Sequence, residues 1–456
     1  MAKEKGREKF SSKIGIFFAT LAAAVGLGNI WKFPYLVGEN GGGAFLLVYL
    51  ICVFFLGIPV MISEFYIGRK TKKNVIGAIE KLNPNSKWKI IGYMGIITSY
   101  FIMFFYTAVA GWVYSYFFKS LTGKFNNIDL NSAKDVFSST VASNISPVFW
   151  QIIVLIVVSS IILLGVQKGI EKVTKTLMPL LFILIIICGV RALTLPGARE
   201  GLNFLLNPDF SKLTATGILI ALGLAFFKLA VGLGAMVTYS SYFTEDTNMI
   251  SNSIKVAFSD TLVSLLAGIA IFPVVFSFNI KPTEGPGLLF MSIPLVFSKI
   301  PLGKVLLVIF FLLTAMASTM SILSMIQVQI AYYTEEMNIT RKKAVIFNFI
   351  LVALVGSLAT LSADPSSILY NVKILGFTFF DIFDKTSSNV LLPLGGLLIA
   401  VFVGYKNKKE DILYELSNKG TLKVEKMVSI YYFIIRYITP IILLVVFLNS
   451  IGIIKF

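Results

Sequence analysis

The sequence predicts an all-α membrane protein of about eleven spanning helices, with the first and sixth discontinuous near mid-depth. Three observations predict it. Apolar runs of spanning length recur along the whole chain, basic residues gather in the short loops between them, and the motif AVGLG stands in the middle of two runs. Of 456 residues, 56% are hydrophobic and 40 are phenylalanine, and the mean hydropathy is +0.84. Soluble proteins are about half apolar even when glycine is counted.

The apolar runs lie near 14–37, 43–68, 90–118, 147–165, 172–193, 213–241, 252–277, 303–333, 344–361, 382–404 and 428–454. The first is longer than a signal-peptide core, and GNIWKFP follows where a small-residue cleavage site would stand. One set of loops holds Arg69, Lys70, Lys72, Lys73, Lys81, Lys87 and Lys89, then Arg341 to Lys343, then Lys406, Lys408 and Lys409. With the basic N-terminus, roughly 25 of the 40 basic residues fall on this face, which the positive-inside rule makes cytoplasmic. The N-terminus is then inside and the C-terminus, at Phe456, outside. The longest outer loop, near 120–146, is rich in Asn and Ser and reads as a small surface cap.

These features exclude several functions. A net charge of +17 and a pI near 9.6 suggest nucleic acid only until the charges are placed in membrane loops. Cys52 and Cys188 both lie inside apolar runs, so no disulfide framework or metal cluster is expected. There is no histidine, which removes histidine-held zinc, histidine proton relays and Ser-His-Asp hydrolysis. Isolated intramembrane charges (Glu64, Lys228 and Asp260) do not make the rings or ladders of a channel. A membrane enzyme lacks a nucleophile with its base.

The stretch AFFKLAVGLG, residues 225–234, carries the sharpest signal. Lys228 lies more than ten residues from either end of its run, on the order of 20 Å of helix, too deep to snorkel. A charge at that depth marks a bundle interior or a pathway. Beside it, Ala230–Gly234 repeats Ala24–Gly28 letter for letter. Two glycines cost a helix about 2 kcal/mol relative to alanine, and backbone freed in a bilayer needs partners other than lipid. Five spans separate the copies, so they run through the membrane in opposite directions. Paired interrupted helices in inverted halves point to a central transport site.

The run VGLGNIWKFPYLVGENGGGAF, Val25–Phe45, resembles the first-helix signature of the neurotransmitter:sodium symporter family. The similarity continues in GIPVMISEFYIGR (Gly57–Arg69), AFFKLAVGLGAMVTYSSY (Ala225–Tyr242), TEEMNITRKKA (Thr334–Ala344) and YYFIIRYITP (Tyr431–Pro440). The resemblance covers essentially the whole chain. It implies one transporter domain, 1–456, with inverted five-helix repeats near 14–193 and 213–404 and an accessory helix near 428–454. Members commonly have twelve helices, and this chain stops after an eleventh, as some bacterial members do. The implied setting is an integral bacterial or archaeal inner membrane protein surrounded by lipid, with no nucleic-acid partner and an oligomeric state left open.

The resemblance also implies a pocket for a small amino acid. Ala24, Leu27 and Gly28 would receive the carboxylate at the unwound first helix, and Tyr106 would bind it through its hydroxyl. Phe227 would form the lid, and Ile102, Ala230, Leu233, Ser321 and Met325 would surround a hydrophobic side chain. Arg7 with Glu335 would close the cytoplasmic path, and Lys32 with Asp384 the outer one. Lys32 stands where relatives usually carry arginine and lacks its bidentate fork. Gly169 and Pro179 resemble the glycine–proline pair that lets the fifth helix open.

The ion sites depart from the family pattern. At the first, Ala24 and Asn29 remain, but Lys228 replaces a threonine and Asp260 an asparagine. The lysine resembles a built-in replacement for the cation, paired with Asp260. The second site keeps Ala22, Val25, Ala317 and Ser321, while Met320 brings a thioether of poor affinity for hard cations. Thr319 next door is an alternative ligand. The expectation is no cofactor beyond one sodium ion at a weakened second site, and no chloride requirement. Two couplings stay open, sodium as in the family or a proton carried by Lys228. The alternative from another class is a receptor or scaffold that binds an amino acid without carrying it.

Overall fold

In a bilayer every backbone polar group needs a partner within the protein, and a computed structural model of the chain shows how this sequence meets that demand. It describes residues 8–126, 128–278, 288–298, 301–450 and 453–454. Among these the regular structure is helical, with isolated bridges at Gly42–Pro208 and Ile374–Phe377. Arg7 and Phe456 lie outside the described residues.

In chain order the helices that matter here are α1 (Lys13–Ala24), α2 (Gly28–Glu39), α3 (Gly43–Thr71), α4 (Lys87–Leu121), α5 (Ser146–Leu163) and α6 (Val166–Ala192). They continue with α7 (Ala215–Lys228), α8 (Ala235–Ser240), α9 (Met249–Ser277), α10 (Gly303–Glu335), α11 (Arg341–Thr360), α12 (Phe379–Lys406) and α13 (Glu425–Asn449). Nine of them are each long and apolar enough to cross a membrane among the described residues. The pair α1–α2, bent by 49°, makes a tenth candidate. The sixth expected run is discontinuous, as expected: it is the short helix α7, a break at 229–234, and the shorter α8. By length and apolarity nine or ten helices qualify among the described residues, a criterion that does not count the short α7 and α8, so it does not by itself confirm the expected eleven.

The cause of the sixth helix's interruption is local. Ala230, Gly232 and Gly234 have φ of 51°, 84° and 81°, left-handed values that a right-handed helix cannot contain. At Gly232 a Cβ would also stand 2.8 Å from the Leu392 carbonyl oxygen. The first AVGLG copy has the same letters and needs its glycines for another reason, close approach. A Cβ on Gly26 would meet Ser321 Oγ at 2.0 Å and the Tyr106 hydroxyl at 2.4 Å.

Packing places both breaks at the centre. Helix α1 packs on α6, α9 and α10, while α3 runs against both α7 and α8. Outward-facing Phe54, Phe55, Ile183, Phe347 and Leu354 are exposed, as a lipid-facing surface requires. At the start of α1, Ser12 caps the helix by accepting from the Gly15 amide at 3.1 Å. Glu171 of α6, buried, accepts from the Ser11 amide at 2.7 Å and its hydroxyl at 2.6 Å. That carboxylate lies on α6 between Gly169 and Pro179, so α1 is tied to the helix flank marked out in the sequence. The outer loop carries the helix Leu130–Val141, whose Phe137 packs edge-on against Trp112.

Two glycines with the same φ of 84° separate backbone cost from steric cost. Gly376→Ala, where a Cβ would meet nothing within 4 Å, should lower stability by about 1–2 kcal/mol. Gly232→Ala should lower it by more, because the new methyl meets Leu392. Thermal unfolding of the detergent-solubilised variants measures both, and equal losses would show that the break is not packed as described.

Candidate functional site at the helix breaks

The breaks of the first and sixth helices face one small cavity. Of the residues singled out from the sequence, Ala24, Gly28, Ile102, Tyr106, Phe227, Ala230, Leu233, Ser321 and Met325 line it. Leu27 contributes its amide, which donates to the Tyr106 hydroxyl at 2.8 Å. Ala23, Gly26 and Lys228 complete the lining. One wall is thus backbone and hydroxyl, and the other is apolar side chains. The cavity volume is about 20 Å³, and one water needs roughly 10–15 Å³ on the same measure. An amino acid therefore enters only if the lining parts, and Phe227 is the side chain placed to move. Its ring lies 6.5 Å from both the Phe105 and Tyr106 rings and is only half-buried.

Electrostatics give the backbone wall a direction. The N-terminus of α2 opens at Gly28 in the cavity lining, and the helix dipole favours an anionic group there. On the opposite side of the sixth-helix break, Glu64 of α3 accepts from the Gly232 amide at 2.6 Å. Glu64 is fully buried and serves the break rather than the cavity.

Lys228 and Asp260 are brought together, Nζ to Oδ2 at 3.1 Å, with both side chains wholly buried. The ammonium also donates to the Tyr49 hydroxyl at 2.7 Å and to Ser264 Oγ. Asn29 Nδ2 donates to Asp260 Oδ1 at 2.6 Å and to Ser264 Oγ at 3.0 Å, while its Oδ1 accepts from the Gly26 amide at 3.0 Å. Rings of Tyr49 and Phe33 lie 4.5 and 5.0 Å from Nζ. Sequence reasoning missed Tyr49 and Ser264. Ser264, four residues after Asp260, was legible as sharing its helix face, whereas Tyr49 comes from another helix with no spacing to announce it.

At the second ion position, Ser321 Oγ donates to the Val25 carbonyl at 3.1 Å, with Ala22, Ala317 and Met320 buried nearby in sequence. Thr319 turns elsewhere. Its hydroxyl donates to the Ala315 carbonyl at 2.7 Å and lies 2.6 Å from the Tyr114 hydroxyl, so it does not substitute for Met320. Of the expected outer pair, Lys32 Nζ bonds Asp384 Oδ1 at 2.8 Å and Ser388 Oγ at 3.0 Å, and stands 4.5 Å from the centre of the Phe227 ring. On the inner side, Glu335 accepts from the Asn74 amide at 2.8 Å and its side-chain nitrogen at 3.1 Å. Its expected partner Arg7 is outside the described residues.

The outer pair yields a test. Asp384→Asn removes the charge opposite a lysine only 9% exposed, a loss of about 1.5 kcal/mol for a charged hydrogen bond. Release of bound ligand to the outside should quicken about tenfold, as read by the dissociation rate of a labelled amino acid. An unchanged rate would mean the pair does not hold the lid.

Comparison with known proteins agrees with this geometry. The family model described as the sodium:neurotransmitter symporter family matches residues 7–133 and 130–456. An uncharacterised sodium-dependent transporter of Bacillus subtilis, YhdH, is 39% identical over 98% of both chains. One from Haemophilus influenzae is 36% identical, again over 98% of each. The crystal structure of MhsT in complex with L-phenylalanine superposes with a TM-score of 0.92 at 40% identity, covering 98% of this chain and 100% of that one. With both breaks, the cavity between them and a family match along nearly its full length, the chain belongs to the sodium:neurotransmitter symporter family.

Proposed function

We propose that this integral membrane protein is a secondary active transporter of hydrophobic amino acids. It works by alternating access to the cavity between the helix breaks, as a protein of the bacterial or archaeal cell membrane with its N-terminus in the cytoplasm. The observation that carries the reading is the two-sided cavity. Leu27, Gly28 and Tyr106 offer hydrogen-bonding groups to a carboxylate, and Ile102, Leu233 and Met325 offer an apolar surface to a side chain. MhsT, similar over its whole length, was crystallised with L-phenylalanine, an amino acid of that kind. Sodium is the coupling ion of this reading, held by Ala22, Val25, Ala317 and Ser321, in keeping with relatives named as sodium-dependent.

The residues divide the cycle between two gates. Outside, Lys32, Asp384 and Phe227 part together to admit substrate. Inside, release requires α1 to leave α6, which breaks the Glu171 contacts to Ser11, and frees the face where Glu335 stands. The two inverted repeats, 14–193 and 213–404, supply the halves that rock past one another. The Bacillus subtilis and Haemophilus influenzae relatives are named as transporters, which favours carrying over binding alone.

Proteoliposomes containing the purified protein test this. An inward sodium gradient should drive concentrative uptake of labelled phenylalanine, with leucine competing and lysine or glutamate not. Tyr106→Phe should weaken half-saturation about tenfold, the scale of about 1.4 kcal/mol for one lost hydrogen bond to a charged group. Binding without uptake under either a sodium or a proton gradient would replace transport with the receptor function.

A further inference from the structure

We infer that Lys228 is a resident cation which permanently fills the first ion position, so that this chain moves one sodium ion per substrate, at the second position, and needs no chloride. The inference rests on the transport reading above. A lysine ammonium has three protons to donate. All three have acceptors inside the protein: Tyr49 at 2.7 Å, Asp260 at 3.1 Å and Ser264. The acceptors are satisfied in turn. The Tyr49 hydroxyl lies 3.4 Å from Asp260 Oδ2 as donor, Asn29 serves Asp260 Oδ1, and Ser264 donates to the Asp260 carbonyl at 3.3 Å. The Nζ protons and the oxygens they reach are thus all engaged with one another, and one positive and one negative charge already balance, so a second cation finds no counter-charge there and an anion no excess of positive charge.

A sodium ion forced into the cluster would stand within about 4 Å of the ammonium. At the effective dielectric of a protein, that repulsion weakens binding about a thousandfold. The same geometry opposes a proton-carrying role. Losing a proton would strand the fully buried Asp260 carboxylate, and the three acceptors hold Nζ away from solvent. Through Asn29 the pair also reaches the Gly26 amide in the cavity wall, so the fixed charge holds the first-helix break in place where a mobile ion would otherwise assemble it.

The experiment counts ions. Proteoliposomes with the full chain are given radiolabelled sodium and labelled phenylalanine, and the initial fluxes are compared. The wild type should move about one sodium per substrate with a sodium Hill coefficient of about 1, unchanged when chloride is replaced by gluconate. Lys228→Thr leaves Asp260 and a hydroxyl facing Asn29, and should raise the ratio and the Hill coefficient towards 2. Equilibrium binding of labelled sodium to the detergent-solubilised protein gives the same count without transport: one site in the wild type, two in the variant. A wild-type count of two, or uptake driven by a proton gradient without sodium and lost in Lys228→Thr, would overturn the inference. If the variant does not fold, the wild-type count decides. No uptake together with a single sodium site would sink the transport reading and leave the resident cation standing.

Discussion

A backbone that leaves the helix in the middle of a bilayer must find partners for its freed N–H and C=O groups, and most of this structure is organised around doing so. Four of these groups are met by side chains. The Leu27 amide meets Tyr106 of α4, the Gly26 amide meets Asn29, the Val25 carbonyl meets Ser321 of α10, and the Gly232 amide meets Glu64 of α3. An unsatisfied group at this depth would cost several kcal/mol. The breaks therefore depend on α3, α4 and α10 to complete them, and two of those helices, α4 and α10, also form walls of the cavity. Site and fold are solved by one set of contacts.

The same constraint governs charge. Glu64, Lys228 and Asp260 are each wholly buried, and a lone ion there would be prohibitive. Lys228 and Asp260 neutralise one another, and removing either partner would leave the other uncompensated. Such a pair contributes little net stability, since desolvation offsets attraction. Its value lies in specifying geometry, because Asn29 and Ser264 can satisfy both ions only with α2 and α9 in one register. Glu64 instead meets the backbone of the break, one oxygen accepting from the Gly232 amide.

Much of this was legible in the sequence. The apolar runs and the loop lysines gave the class. The repeated AVGLG located both breaks, and Lys228 at mid-depth drew attention to the place where Asp260 was then found. The cavity lining came from the family resemblance rather than from spacing, since Ile102, Tyr106 and Met325 sit in runs where almost every residue is apolar. What stayed hidden has physical causes. Identical letters fold differently in the two copies: left-handed φ in one, close approach in the other, a distinction set by neighbours such as Ser321 and Leu392. The motif located the break in the run 213–241 but not that it rests on a positive φ at the non-glycine Ala230. Tyr49 was invisible because its role exists only across helices.

The outer gate shows how one replacement is absorbed. A guanidinium would offer a carboxylate two parallel bonds, and the Lys32 ammonium offers Asp384 one. The structure spreads the remaining donors, one to Ser388, which itself donates to Asp384 Oδ1 at 2.9 Å, while the charge faces the Phe227 ring. Lysine thus keeps the connection between gate and lid but makes it through a hydroxyl intermediary and a ring face. The closed state is then a cooperative cluster of four side chains in place of a single bidentate pair. In the proposed cycle, displacing any member would loosen the others, so the Phe227 ring and the Lys32–Asp384 pair would move as one unit.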